Sequence, residues 1–248
     1  KLIEESEVMD IYRDGHKIYI ATNTGLYCIL NSEITKVFLP VELNLTSVGV
    51  TDLGKIWLGT LEDGLCFLDK NSIDSITQEN SNLVNGFITS LFVDRDGNAW
   101  ACSNTALSKV TQNKQVENYT AKNGFEGVPR VVFQDTEGNF WIGTNGSGLI
   151  KFANKEFKFF TKQKELPANV IISICEDNQG DIWLGSFGQG LYFKTSNSNS
   201  FHKIDPSKFP SDLNIEDLLV DSKNKLWIAN LKQIINSSSF SSLLFNIR

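Results

Sequence analysis

Apolar and polar residues alternate along this chain in short runs separated by polar, glycine-rich breaks. The clearest instance is residues 135–152, DTEGNFWIGTNGSGLIKF. Period-2 alternation over 140–144 predicts a strand with Phe140 and Ile142 on one face and Trp141 and Gly143 on the other. A second strand is predicted over 149–152. Residues 135–138 form a tight turn, in which the Asp135 side chain hydrogen-bonds backbone two residues on. Gly138 takes the positive φ that closes a type I turn with a bulge. Residues 145–148 make the second turn.

The pattern recurs. Residues 52–67 read DLGKIWLGTLEDGLCF and residues 177–193 read DNQGDIWLGSFGQGLYF, with weaker copies from Asp14, Asp94 and Asp221. The aromatic anchors Tyr19, Trp57, Trp100, Trp141, Trp183 and Trp227 are spaced 38, 43, 41, 42 and 44 residues apart and use every tryptophan in the chain. A repeat of that length, with several strands per unit, predicts β-propeller blades. Helical repeats of similar length are disfavoured, because the apolar spacing is 2 rather than 3.6.

The inner strand of each unit is predicted at 8–12, 47–50, 88–93, 131–134, 170–175 and 215–220. These are near-continuous apolar runs, as expected of strands covered on both faces. The outer strands at 34–38, 73–77, 116–120, 157–161 and 201–204 are more polar. The expected fold is therefore all-β, a propeller of six recognisable four-stranded blades. The alternative is an open fragment of a seven-bladed ring. Residues 1–248 form one propeller domain or a propeller fragment, with no interdomain linker. Residues 2–4 are expected to supply the outer strand of the last blade and close the ring, which removes exposed edges.

Charge narrows the functional classes. The net charge of −6 argues against nucleic acid, whose phosphates need a basic face, and against an anionic membrane surface. No apolar run is long enough to span a bilayer. The start at Lys1 and the single methionine, Met9, suggest a chain that begins inside something longer. Cys28, Cys66, Cys102 and Cys175 fall in strands of different units without metal-ligand spacing, and read as small core residues.

Catalytic constellations are missing from the pattern. His16 lies in a turn and His202 in an outer strand, without the His/Glu/His set of a lyase. Arg13 and Arg95 lie in turns on the opposite rim from Arg130, so no arginine triad forms, and paired glycosidase carboxylates have no motif. The glycine-rich stretches 146–149 and 188–191 lead into strands, whereas a phosphate loop leads into a helix. The expectation is a non-enzyme with no cofactor and no metal.

The unit D-x-x-G-x-hydrophobic-W-hydrophobic-G-T-x-x-x-G-L resembles the two-component regulator propeller repeat, most closely at 52–67, 135–152 and 177–193. That resemblance implies a piece of the extracytoplasmic sensor region of a bacterial hybrid two-component histidine kinase. Such a piece is periplasmic, belongs to an inner-membrane receptor, and adjoins further sensor domains in a receptor able to form homodimers. It also implies an oligosaccharide as the ligand sensed or relayed. The alternative is a scaffold propeller that binds a protein through its rim.

Fold-level analogy places ligands at the rim formed by the blade crossovers and the loops between second and third strands. The candidates there are Lys122, Phe125, Arg130, Phe187, Phe209, Glu62 and Asp63, with Asn104, Glu126, Asn145, Gln189 and Lys208 beside them. For each, an ordinary solvated loop residue is the plain reading. Only Phe125, Phe187 and Phe209 are expected as loop aromatics for stacking on a sugar.

Overall fold

The computed structural model describes residues 6–70, 72–161, 165–205, 214–230 and, as backbone, 234–236. The expected closing strand at 2–4 and the candidates Lys208 and Phe209 lie outside the described residues. The chain divides into two compact units, Lys1–Pro129 and Arg130–Arg248.

The first unit holds three antiparallel sheets of four strands, in sequence order across each sheet. The first is Val8–Asp14, Lys17–Thr22, Gly25–Leu30 and Glu33–Lys36. The second is Leu45–Val50, Ile56–Thr60, Leu65–Asp69 and Ser72–Ile76. The third is Ser90–Val93, Ala99–Cys102, Leu107–Val110 and Val116–Tyr119. Residues of the first and second sheets share one buried cluster, including Tyr19, Leu26, Val48 and Leu58. The second and third share another, around Trp57, Leu65, Ile88 and Ala101.

The second unit repeats the scheme. Its fourth sheet is Val128–Gln134, Phe140–Asn145, Leu149–Ala153 and Glu156–Phe160, and its fifth is Ile171–Glu176, Ile182–Ser186, Gly190–Lys194 and His202–Lys203. The sixth has three described strands, Ile215–Val220, Leu226–Asn230 and Ile234–Asn236. One cluster joins the fourth and fifth sheets through Trp141, Phe160, Leu184 and Tyr192. A second joins the fifth and sixth through Trp183, Ile215 and Ile228.

Six up-and-down sheets, each packing an apolar face on the next within its unit, constitute a β-propeller fold. Among the described residues the only helix is one 3-10 turn, Ala121–Asn123. Inner strands begin within three residues of their expected starts.

The repeat motif explains itself in contacts. Gly138 has φ +88° and donates its N–H to the Asp135 carbonyl at 2.9 Å, closing the turn as expected. Across the sheet Trp141 faces Lys151, and Gly143 faces Leu149. A Cβ on Gly143 would lie 2.7 Å from the Ile171 carbonyl oxygen, so the neighbouring sheet comes close only because this residue is glycine. The residue after it is a buried hydroxyl that closes the next loop from inside. Thr22, Thr60, Ser103, Thr144 and Ser186 each donate to a carbonyl three or four residues on, at 2.6–2.9 Å.

The acid at the head of the motif has a role that the spacing conceals. Asp94, Asp135, Asp177 and Asp221 each accept the indole N–H of the tryptophan six residues on, at 2.9, 2.7, 3.1 and 2.9 Å. In the second sheet the same turn is headed by Thr51. The Thr51 N–H donates to the Lys55 carbonyl, its carbonyl accepts from Gly54, and its hydroxyl accepts from the Lys55 N–H. The unit thus begins at Thr51, one residue before the Asp52 that the alignment suggests. Asp52 is exposed, and Trp57 donates instead to the Gly97 carbonyl of the third sheet at 3.1 Å.

Candidate functional site

Within each unit, antiparallel pairing sends the first-to-second-strand turns to one rim and the second-to-third-strand loops, with the crossovers, to the other. The loop rim is where the sequence places its candidates. In the first unit Glu62 and Asp63 are exposed in the loop after Ile56–Thr60, and Asn104 is exposed in the corresponding loop of the third sheet. Lys122 is exposed on the 3-10 turn, which Thr120 and Asn123 cap reciprocally. Glu126 is exposed as well.

Phe125 departs from expectation. Its side chain is 2% exposed and among the largest fully buried in the chain. Gly124 ends the turn at φ +85°, and the Phe125 N–H returns to the Thr120 carbonyl at 3.0 Å, so the chain folds back and carries the ring inward. A buried ring offers no face to a ligand; Phe125 is a core residue.

In the second unit Arg130 is exposed on the Val128–Gln134 strand, and Asn145 is exposed at the end of Phe140–Asn145. Phe187 is 53% exposed and is an unshielded loop aromatic. Gln189 is tied to the preceding crossover. Its side-chain oxygen accepts from the Asn169 N–H at 3.0 Å, and its amide nitrogen donates to the Pro167 carbonyl at 3.4 Å. The loop rim of the first unit also has a hollow of about 410 Å³ lined by Asn23, Thr24, Lys36, Glu42, Leu43 and Asn44.

A larger cleft, about 620 Å³, opens on the turn rim of the second unit, between the fourth and fifth sheets. Its lining includes residues 135–137, Trp141, Lys151, Lys158, Phe160, Glu176, residues 178–180, Lys194 and residues 196–199. Lys151 holds its ammonium 5.0 Å from the Trp141 ring centre, and Lys158 holds its own 4.6 Å from that of Phe160. These are cation–π distances. Lys194 enters from the fifth sheet and donates to the Thr195 carbonyl at 3.0 Å. Burial, and then the nearby Lys151 charge, hold the Lys194 ammonium below the usual lysine range, against the opposing pull of Glu137, Asp181 and Asp135.

The carboxylates here are largely committed. Asp135 accepts from the Trp141 indole and from the backbone and side chain of Asn139. Glu176 accepts from the Thr136 N–H and hydroxyl, both at 2.7 Å. Sequence reasoning passed over this cleft because its turn residues read as repeat scaffold. A signal was present: residues 154–155 form a two-residue turn, and that register sets Lys151 directly opposite Lys158.

Both histidines are exposed, each within its own unit. Cys66 is buried, and burial pushes its thiol up to about 12, so it remains protonated at neutral pH.

A family model described as "Two component regulator propeller" matches residues 82–105 and 165–188. The two matches are in phase: each holds its tryptophan, Trp100 and Trp183, at the same place. No curated protein matches the sequence. Among solved structures, the extracellular domain of the putative hybrid two component system BT4673 from B. thetaiotaomicron aligns with TM-score 0.76 at 19% identity, over 93% of this chain and 32% of that one. The corresponding domain of BT3049 from the same organism aligns at 0.70 and 18%, over 94% of this chain and 39% of that one. Virginiamycin B lyase from Staphylococcus aureus aligns at 0.74 and 15%, over 94% and 84%. The chain spans about a third of the length of the B. thetaiotaomicron domains it matches. At these identities the likeness is one of fold.

Proposed function

We propose that this chain, which carries two-component-regulator propeller repeats, is a non-enzymatic propeller portion of the sensor region of a hybrid two-component receptor. In this reading it is periplasmic, adjoins further sensor domains of a receptor able to dimerise, and binds an oligosaccharide or relays its binding. The observation that carries the reading is the pair of in-phase family matches at 82–105 and 165–188. The fold shared with the BT4673 extracellular domain over 93% of this chain adds support.

Binding acts by biasing how neighbouring domains are placed. Blades whose cores run from sheet to sheet within each unit are poorly suited to bending, so the two-state element lies at the domain junctions. Lys122, Glu62 and Asp63 in the first unit, and Arg130 and Phe187 in the second, are exposed loop-rim residues through which a ligand or a neighbour would be read.

Calorimetric titration of this chain, and of the complete sensor region, against a panel of glycan oligosaccharides tests the reading. Binding by the chain, or by the complete region alone, is the expected outcome, and the two place the site within or across this piece. Silence from both, with a protein co-purifying instead, would replace the sensor by a scaffold. Turnover of a glycan by the isolated chain would end the non-enzymatic reading.

A further inference from the structure

In the second and fourth sheets the loop between the second and third strands is tied to the crossover that follows. The Gly64 N–H donates to the Gly86 carbonyl at 3.1 Å, and the Gly148 N–H to the Asn169 carbonyl at 2.9 Å. An added Cβ on Gly64 or Gly148 would meet the backbone of the fourth strand at 2.3 or 2.4 Å, so main chain fills the space behind the loop. The first sheet is built differently. Among the described residues no backbone bond joins its loop at Asn23 and Thr24 to the crossover at 38–44. At Gly25, with φ +130°, an added Cβ would meet only the Lys36 side chain, 3.2 Å away at Cε. The hollow of about 410 Å³ lies in that gap, and it has the size of a small-molecule site.

Its walls are fixed while its polar side chains are uncommitted. Asn23 accepts from the Glu7 N–H at 2.9 Å and donates its own N–H to the Glu7 carbonyl at 3.3 Å. The Asn44 carbonyl accepts from the Leu61 N–H at 3.0 Å. Lys36 enters from the fourth strand, with its ammonium 5.7 Å from the Tyr27 ring centre, and Glu42 enters from the crossover. Both line the hollow, yet neither takes part in an ion pair among the described residues. Among the same residues no hydrogen bond holds the side chains of Glu42 and Asn44. One donor-only ammonium, one acceptor-only carboxylate and two amides make a set matched to hydroxyls, which donate and accept. With one charge of each sign, a charged ligand would gain on one side and lose on the other, besides giving up its own hydration.

The crossover that forms one wall also presents an aromatic ring. Val37, Leu39 and Leu43 pack into the core of the first and second sheets, whereas Phe38 is 70% exposed. The sequence pattern assigned Phe38 to the outer strand at 34–38. That strand ends at Lys36, which leaves Phe38 in the crossover, four positions before Glu42.

We infer that this hollow receives one uncharged sugar ring of an oligosaccharide, held by Lys36, Glu42, Asn23 and Asn44, with Phe38 as the stacking face for the next ring. The inference rests on the sensor reading for the saccharide class, and it places the contact on the loop rim of the first unit.

The test is calorimetric titration of the full chain, and of the complete sensor region, with cellotetraose, maltotetraose, xylotetraose and mannotetraose, and with trigalacturonate as the acidic comparison. At least one neutral tetrasaccharide should bind the chain, and more tightly than trigalacturonate does. Glu42→Ala should weaken that binding at least about tenfold and Phe38→Ala about fivefold. Both side chains are exposed, so the thermal midpoint should not move. Glu33→Gln, which removes an exposed carboxylate on the turn rim of the same sheet, should leave binding unchanged. Silence of the chain toward all four neutral sugars, tighter binding of trigalacturonate, or affinity that survives both Glu42→Ala and Phe38→Ala would overturn the hollow. In any of these cases, binding of a neutral tetrasaccharide by the complete region leaves the sensor reading standing, and silence from both proteins removes it as well.

Discussion

The second and fourth sheets hold their tryptophans in different ways. Trp141 donates to Asp135 at the head of its own turn, so its anchor is complete within one hairpin. The acceptor is a buried carboxylate that also holds Asn139, which makes the bond charge-assisted and the turn stiff. Trp57 has Thr51 at the head of its turn and passes its N–H to Gly97 of the third sheet. Its anchor is a bond between blades. The same motif thus serves as a local clamp in one place and as a staple between sheets in another. The difference comes from a single residue, a threonine where four other turns have aspartate.

The most severe way to break the comparison is to remove the indoles. Trp57→Ala and Trp141→Ala, at 0% and 2% exposure, should each cost about 3–5 kcal/mol, as other large buried truncations do. Denaturant unfolding measures this. Loss of ligand binding at unchanged stability would instead make them ligand platforms.

The turn heads should separate next. Asp135→Ala strands the buried Trp141 N–H and should cost about 1–3 kcal/mol. Thr51→Ala loses only the bond from Lys55, and should cost about 0.5–1 kcal/mol. Equal losses in the two variants would show that the carboxylate adds nothing to the clamp.

Gly97 tests the staple. It sits at φ +77°, and an added Cβ would lie 2.5 Å from the end of the flexible Gln112 side chain, so Gly97→Ala strains the backbone more than it crowds the site. A cost of about 1 kcal/mol or somewhat more is expected. The fluorescence of Trp57 should shift, because its acceptor carbonyl moves with the turn.

The smallest effect is acid sensitivity. The Trp227 indole first, then the Lys225 N–H, hold the partly exposed Asp221 carboxylate below its ordinary value of 3.8. The sign follows from linkage: the folded state binds the proton less readily than the unfolded one, so this contribution is present above 3.8 and fades as pH falls through the lowered value. The Trp227 indole N–H should therefore gain exchange with solvent as pH falls through that lowered value, while that of Trp57, bound to a neutral carbonyl, should not follow the same titration. Solvent-exchange NMR of the two indole protons distinguishes them.

Much of the fold was legible because it is local. Hairpins close through turns of two to seven residues, and period-2 alternation fixes which face each side chain takes, so 140–145 and its partner strand follow from their own residues. The anchor spacing alone implied the repeat. Phe125 could not be read this way. In sequence it sits in a polar loop, and only the capped turn before it, together with the packing around it, takes the ring inside. The cleft was equally hidden, since its walls come from strands some 40 residues apart and its turns carry the repeat's own letters.

What the sequence determined by itself, then, is the blade: four short strands, an Asp- or Thr-headed turn, and a buried hydroxyl that closes the next loop. These depend on contacts a few residues apart. The tertiary structure decided which acceptor each indole finds, which loop aromatic is buried, and which charged side chains meet in the cleft between the fourth and fifth sheets. Those outcomes depend on a neighbouring sheet brought alongside by packing, and a distance of one repeat along the chain does not specify them.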